Sequence, residues 1–305
     1  MIITTTGRIC DNFYLLGHPG YPMYFFDAPQ PAVFDACVSF AGKIYIEEIR
    51  SVIGNREPSF LFLTHVHWDH CGATSHLKDA FPSLKVAASE LAAGILERPN
   101  AVALMKRLND EAREEMLSFP DVDASRFIDE AFRPFEVDIE LKDGSTFDLG
   151  NGTIVEILAT PGHTRDHHSF YFPRERILIA GEAAGLLLQS GYVATEFLSS
   201  YDDYLSSLER FTTLPVDVFC QGHGLAIVGR EEIEDFFRRS IEETLSFKER
   251  VFELLDRANG SLERVMQCIK AERYDNIPGM KQSEVPYMIN LKAKVNHLAA
   301  IKAAM

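Results

Sequence analysis

The sequence predicts an α/β domain followed by a helical appendage, and three features carry that prediction. Short β-prone apolar runs are punctuated by Gly, Pro, Asn and Asp over residues 1–229, the pattern of strands joined by turns. Segments with apolar residues at helical spacing separate several of those runs. Past Gly229 the chain is charged and helical in pattern with no strand-like run, so residues 230–305 read as an appendage to a main domain at 1–229. A length of 305 residues suits one large domain with a small addition, and 46% apolar content is enough for a real core.

In order, Phe13-Tyr14-Leu15-Leu16, Met23-Tyr24-Phe25-Phe26 and Ala32-Val33-Phe34-Asp35, separated by the turn chemistry of Gly17-His18-Pro19-Gly20 and Pro29-Gln30-Pro31, describe an antiparallel meander. Residues 44–53 have helical spacing, with Gly54 and Pro58 as stop signals. The run Phe60-Leu61-Phe62-Leu63 is a buried strand. A short helix at 72–80, a strand at 85–88 and a helix from an N-cap at Ser89 to Leu96 follow. Residues 101–119 are charged and helical, with Leu104, Leu108, Met116 and Leu117 on or near one face; with 89–130 around them they make either an excursion over the strand ends or an ordinary packing helix. Strands resume at 136–141, 145–149, 153–159, 168–172, 176–181 and 216–219, with a helix at 201–214. The appendage holds helices at 230–258, at 261–270 with Ser261 as cap, and at 284–300.

Charge and cysteine usage exclude some roles. With 45 acidic and 30 basic residues the formal charge is −15, which disfavours nucleic acid as a partner and leaves a small molecule as the expected one. Five cysteines without a CxxC pair fit reduced thiols in a cytoplasmic protein. The N-terminus lacks a targeting pattern and no segment has the length of a membrane span. Oligomeric state is left open.

The chemistry concentrates in His65-Val66-His67-Trp68-Asp69-His70, four metal-ligand side chains in six residues directly after a buried strand. In an extended segment residues two apart face the same way, so His65 and His67 can share one metal while Asp69 and His70 reach a second. Further strand ends deliver His163 in Thr160-Pro161-Gly162-His163-Thr164, Glu182 after Gly181, and His223 in Gly222-His223-Gly224. Asp35 can orient the ligand loop from behind or cap its own turn. Cys71 reads as a small buried hydrophobe, His76 as a surface residue, and His168 as surplus.

His65-x-His67-x-Asp69-His70, the Pro161-Gly162-His163-Thr164 turn and Gly222-His223-Gly224, in that order over residues 12–228, resemble the metallo-β-lactamase fold superfamily, nearer its glyoxalase II-like and lactonase-like hydrolases than its antibiotic-degrading members. The resemblance implies an αββα sandwich of two mixed sheets flanked by helices. It implies His65, His67 and His163 on a first metal and Asp69, His70 and His223 on a second. Where the family has Gly-Asp with a bridging carboxylate, this chain has Gly181-Glu182, expected to ligate although one methylene longer. His167 matches a supporting histidine of the family, with Asp166 in place of its glycine.

Two divalent ions, with zinc the best match and iron or manganese suited by the same donors, together with Asp69, Glu182 and one hydroxide would leave the site at roughly +1, favouring an anionic transition state. A bound water whose pKa falls to roughly 7 supplies hydroxide, so the expected reaction is hydrolysis of a thioester, lactone or related acyl bond. Asp69 can orient that hydroxide, and Tyr192, in the 186–200 loop, can donate to the oxyanion. Three other readings are a di-iron oxidoreductase, for which His67 stands at a family Glu position; a phosphodiesterase or RNA-cleaving relative; and a non-catalytic member.

Overall fold

The computed structural model describes residues 1–305 apart from 19, 118–122, 225 and 280. Part of the turn expected at 17–20 and the end of the helix expected at 101–119 lie outside the described residues. The strands are β1 (Ile2–Ile3), β2 (Gly7–Cys10), β3 (Phe13–His18), β4 (Tyr21–Phe26), β5 (Ala32–Phe34), β6 (Phe60–Phe62), β7 (Lys85–Ser89) and β8 (Ile139–Leu141). They continue with β9 (Thr146–Asp148), β10 (Ile154–Ala159), β11 (His168–Phe172), β12 (Ile177–Gly181), β13 (Leu186–Leu187), β14 (Val193–Ala194), β15 (Val218–Gln221) and β16 (Ala226–Val228). The helices are α1 (Gly42–Ile53), α2 (Trp68–Cys71), α3 (Thr74–Ala80), α4 (Glu90–Leu96), α5 (Pro99–Leu117), α6 (Tyr201–Thr212), α7 (Arg230–Arg257), α8 (Leu262–Lys270) and α9 (Glu284–Ala303).

Two seven-stranded sheets result, ordered β2-β3-β4-β5-β6-β7-β8 and β1-β16-β15-β12-β11-β10-β9. Period-two alternation sorts their side chains. Phe13, Tyr24, Phe26, Phe34 and Phe62 of one sheet meet Phe170, Phe172, Ile177 and Val218 of the other between the layers, with Phe26 stacked on Phe172 at 4.9 Å. The alternate residues Met23, Phe25, Val33 and Leu61 turn outward beneath α1, α3 and α5. Leu178, Ala180 and Phe219 turn outward beneath α6, α7, α8 and α9. The architecture is therefore the αββα sandwich, and the appended helices share one apolar cluster with the second sheet.

The meander of β3, β4 and β5 is antiparallel, as expected. Strand direction then gathers the loops that matter. β5 and β6 are parallel, so Asp35 and the 65–70 loop emerge at the same edge. β10 and β12 both run antiparallel to β11, and β15 is parallel to β12, so His163, Glu182 and His223 also leave one edge.

Some local expectations shift. The strand expected at 136–141 pairs only over Ile139–Leu141, and the 186–200 loop contains the small hairpin β13-β14. Ser89 caps α4 by accepting from the Leu91 N–H, whereas Ser261 makes no capping bond with its side chain. His76 is buried, not at the surface: it packs against the Gly42 backbone, where a methyl would come within 3.0 Å of its Cβ, and burial lowers its pKa. All five cysteines are free, and Cys71 is fully buried.

Candidate metal centre

The donor atoms of His65, His67 and His163 lie within 4.8 Å of one another, as do those of Asp69, His70 and His223. A third overlapping group joins His65, His167 and Glu182. Each imidazole with a fixed tautomer is fixed from behind. His163 Nδ1 meets the Glu196 carbonyl at 2.5 Å, His223 Nδ1 the Gly20 carbonyl at 2.8 Å, and His70 Nδ1 the Asp35 carboxylate at 2.8 Å. In all three the Nε2 atom is the one facing the centre, because Nδ1 is engaged behind the ring. For His67 the inward atom is Nδ1, 3.3 Å from His163 Nε2.

Asp35 is the hub behind the loop. Its carboxylate takes the Thr64 N–H at 2.8 Å and the Thr64 hydroxyl at 3.0 and 2.9 Å, besides His70. Orientation of the ligand loop, the first of its two expected roles, is the one realised. Asp166 adds a second anchor that sequence reading passed over, accepting the Val66 N–H at 2.9 Å. Its only sequence signal is an acid where a turn glycine stands in relatives.

Glu182 sits between the two groups. Oε1 is 2.9 Å from His70 Nε2 and 3.1 Å from His223 Nε2, while Oε2 is 3.9 Å from His65 Nδ1 and 4.0 Å from His167 Nε2. Glycines make the room for it. A methyl at Gly222 would lie 2.0 Å from Glu182 Oε1, and one at Gly181, where φ is +53°, 2.7 Å from His167 Nε2. Pairing of β12 with β15 shifts register between Ile179 and Gly181, the irregularity that re-aims the strand end.

Charge divides the centre. Burial drives His65, His67 and His163 toward the neutral form, His163 to about 3. Burial also opposes charge on His70 and His223, yet Glu182 and Asp35 raise the first, and bonds to Asp69 and Glu182 lift the second to about 10. Asp69 resists ionisation through burial, but its bond to His223 and the charge of His70 hold it at about 2. Glu182 is lowered in the same way.

His65 Nε2, His167 Nε2 and both Glu182 oxygens are buried without an aligned hydrogen-bond partner. The two imidazole nitrogens are costly to bury unpaired, and Glu182 has only the imidazoles of His70 and His223 to offset its charge. The residues therefore fit divalent ions, with His and carboxylate donors suited to zinc, iron or manganese. Tyr192 lines the adjoining cavity, but its hydroxyl donates to Glu243 of α7 at 2.7 Å, and burial keeps it protonated up to about 12. Cys71 contributes nothing to the donor groups, and His168 Nδ1 is taken by the Asp166 carbonyl at 3.0 Å.

An αββα sandwich carrying paired histidine-carboxylate groups at one sheet edge is a fold with a site that fits metal ions. The family model of the metallo-beta-lactamase superfamily matches residues 33–223, and the chain belongs to that superfamily. It is 27% identical over 219 residues to the Beta-lactamase-like protein 2 homolog of Caenorhabditis elegans, covering 71% of this chain and 56% of that protein. It is 25% identical over 224 residues to the Hydroxyacylglutathione hydrolase of Ruegeria pomeroyi, covering 72% of this chain and 66% of that one. The chain thus spans less than two thirds of the length of these relatives. The metallo-beta-lactamase family protein TTHA1429 of Thermus thermophilus superposes with a TM-score of 0.65 at 20% identity, over 97% of this chain and 95% of that one, which speaks for the fold alone. Among the described residues no helix is long and apolar enough to cross a membrane.

Proposed function

We propose that this chain is a metal-dependent hydrolase of small molecules that cleaves an ester-like acyl bond, a thioester, lactone or related group. What carries the reading is the pair of donor groups meeting at Glu182, with the buried Nε2 atoms of His65 and His167 left without a hydrogen bond. In this reading His65, His67 and His163 would hold one divalent ion and Asp69, His70 and His223 the other, with the Glu182 carboxylate lying between the two groups. Zinc is the ion of choice; iron and manganese are the alternatives. When bound, such ions lower the pKa of water to roughly 7 and polarise an acyl carbonyl.

The chain's own residues do the rest. Asp69, ionised at neutral pH, accepts a hydrogen bond from the attacking water and aims its lone pair at the acyl carbon. Asp35, Gly20 and Glu196 hold the rings of His70, His223 and His163 so that no reorganisation is needed. No serine or cysteine nucleophile is required. Tyr192, whose proton is engaged by Glu243, is assigned to the cavity wall. Residues 1–229 form the catalytic unit, and 230–305 the accessory that closes the wall.

The test is elemental analysis of purified protein, then assay of as-isolated and re-metallated forms on an ester, thioester and lactone panel. Stoichiometric metal with turnover of at least one class is expected. Metal bound without turnover on any of the three leaves the non-catalytic alternative. A metal-loaded crystal with Glu182 oxygens beyond about 3 Å from both ions would remove it as a ligand.

A further inference from the structure

The donor groups open into a cavity of about 1000 Å³, at the upper end of what small-molecule sites reach. Besides the donor loops and residues around Tyr21, its wall is built by α4 and α5, the β13-β14 hairpin, and the stretch from the π-helical turn Ala271–Asp275 into α9. Met105, Leu108, Ala112 and Met116 on α5 and Leu187 on the hairpin are buried, and all five line the cavity. Two of the charged lining residues, Arg98 and Arg165, are exposed. Those buried apolar side chains exceed what a bare acetyl group could contact. Methionines among them suit an unbranched chain of variable shape, since thioether side chains repack readily.

We infer that the substrate is an ester or thioester of a medium- to long-chain apolar acyl group, its chain lying along α5 and the hairpin and its polar leaving group at the Arg98 and Arg165 mouth. This inference rests on the hydrolase reading above and adds the substrate class. Hydrolysis balances simply: water adds its oxygen to the acyl carbon, the bond to the leaving oxygen or sulfur breaks, and that atom takes the proton.

The experiment measures kcat/KM of the metallated enzyme for thioesters of one thiol with acyl chains from acetyl to decanoyl. In parallel, calorimetry measures binding of decanamide, which is neutral and is not cleaved as a thioester is. A buried methylene contributes about 0.8 kcal/mol, or roughly fourfold, so acetyl to decanoyl should gain at least about 100-fold. Ala101→Trp, which fills the cavity, and Leu104→Glu, which puts a charge on the wall at an exposed position, should each cut the decanoyl-to-acetyl ratio at least about tenfold and weaken decanamide. Unchanged circular dichroism and metal content identify variants that fold. No turnover of any thioester, nor of the ester and lactone panel, with decanamide bound and displaced by these substitutions, sinks the hydrolase reading and keeps the chamber as an apolar-chain site. Turnover independent of chain length with no decanamide binding keeps the hydrolase and overturns the inference.

Discussion

The two donor groups share one edge but are supported in opposite ways. His65, His67 and His163 are driven neutral by burial, and the last is held by a main-chain carbonyl at residue 196. Behind that carbonyl, the buried Lys294 of α9 donates to the Thr195 carbonyl at 2.9 Å and lies 3.5 Å from Glu196 Oε2. Asp69, His70 and His223 instead form a network of acids and raised imidazoles, backed by Asp35 from inside the first sheet. One group is thus prepared for a cation by exclusion of charge. The other holds protons where a cation would sit.

That contrast can be broken most forcefully at Asp35. Asp35→Ala strands the His70 ring, the Thr64 N–H and the Thr64 hydroxyl in a buried site, and should cost about 3–5 kcal/mol, the range for removing one partner of a buried pair. Thermal unfolding of the variant checks it; a Tm within a degree of the parent would show that Asp35 supports nothing.

Proton release sharpens the comparison next. His223, raised to about 10, must shed its proton to ligate, whereas His163, lowered to about 3, has none to shed at neutral pH. Affinity of the second group, where both His70 and His223 are raised, should therefore rise with pH, by about tenfold per unit for each proton released, between pH 6 and 8. The first group should be flat over the same window. Stepwise metal titration by calorimetry in two buffers of different ionisation enthalpy separates the two, and equal proton release in both steps contradicts the division.

A smaller effect is expected at Lys294. Lys294→Met leaves Glu196 without its cation and loosens the carbonyl behind His163, so the first ion should bind about 10-fold more weakly, the lower end for outer-layer partners of metal ligands. The second ion should bind as before, and Lys294→Arg should restore part of the loss. Equal weakening of both ions would mean a general loosening rather than a route through His163. Smallest of all, Arg238→Ala removes exposed ion pairs to Asp235 and Glu242 on α7 and should change stability by no more than about 0.5 kcal/mol and neither metal affinity. Denaturant unfolding provides that baseline.

Much of this was legible in the chain because ligands placed next to one another, or at the ends of apolar runs, carry their own signature. His65, His67, Asp69 and His70 are close in sequence, and β6 is an apolar run buried on both faces. The gathering of His163, Glu182 and His223 followed from three runs each ending in a donor. The supports were harder to see. A carbonyl such as that of Glu196 or Gly20 has no side-chain signal at all, and Lys294 is an unremarkable member of a charged helix until α9 packs it against residues 195 and 196. His76 was misread because a polar residue on a short helix looks exposed when the neighbour that covers it, Gly42, lies on another helix.

By itself the sequence determined the strand and helix runs, the run ends that carry donors and the chemical type of those donors, because periodicity and residue type are local properties, while the layered sandwich was implied by the family resemblance. Only the tertiary structure decided which ring nitrogen faces inward, how far Glu182 reaches, which imidazoles are neutral, and how large and apolar the adjoining chamber is. Those depend on burial and on partners brought from distant positions, and a pKa or a cavity belongs to the surroundings of a residue, not to the residue.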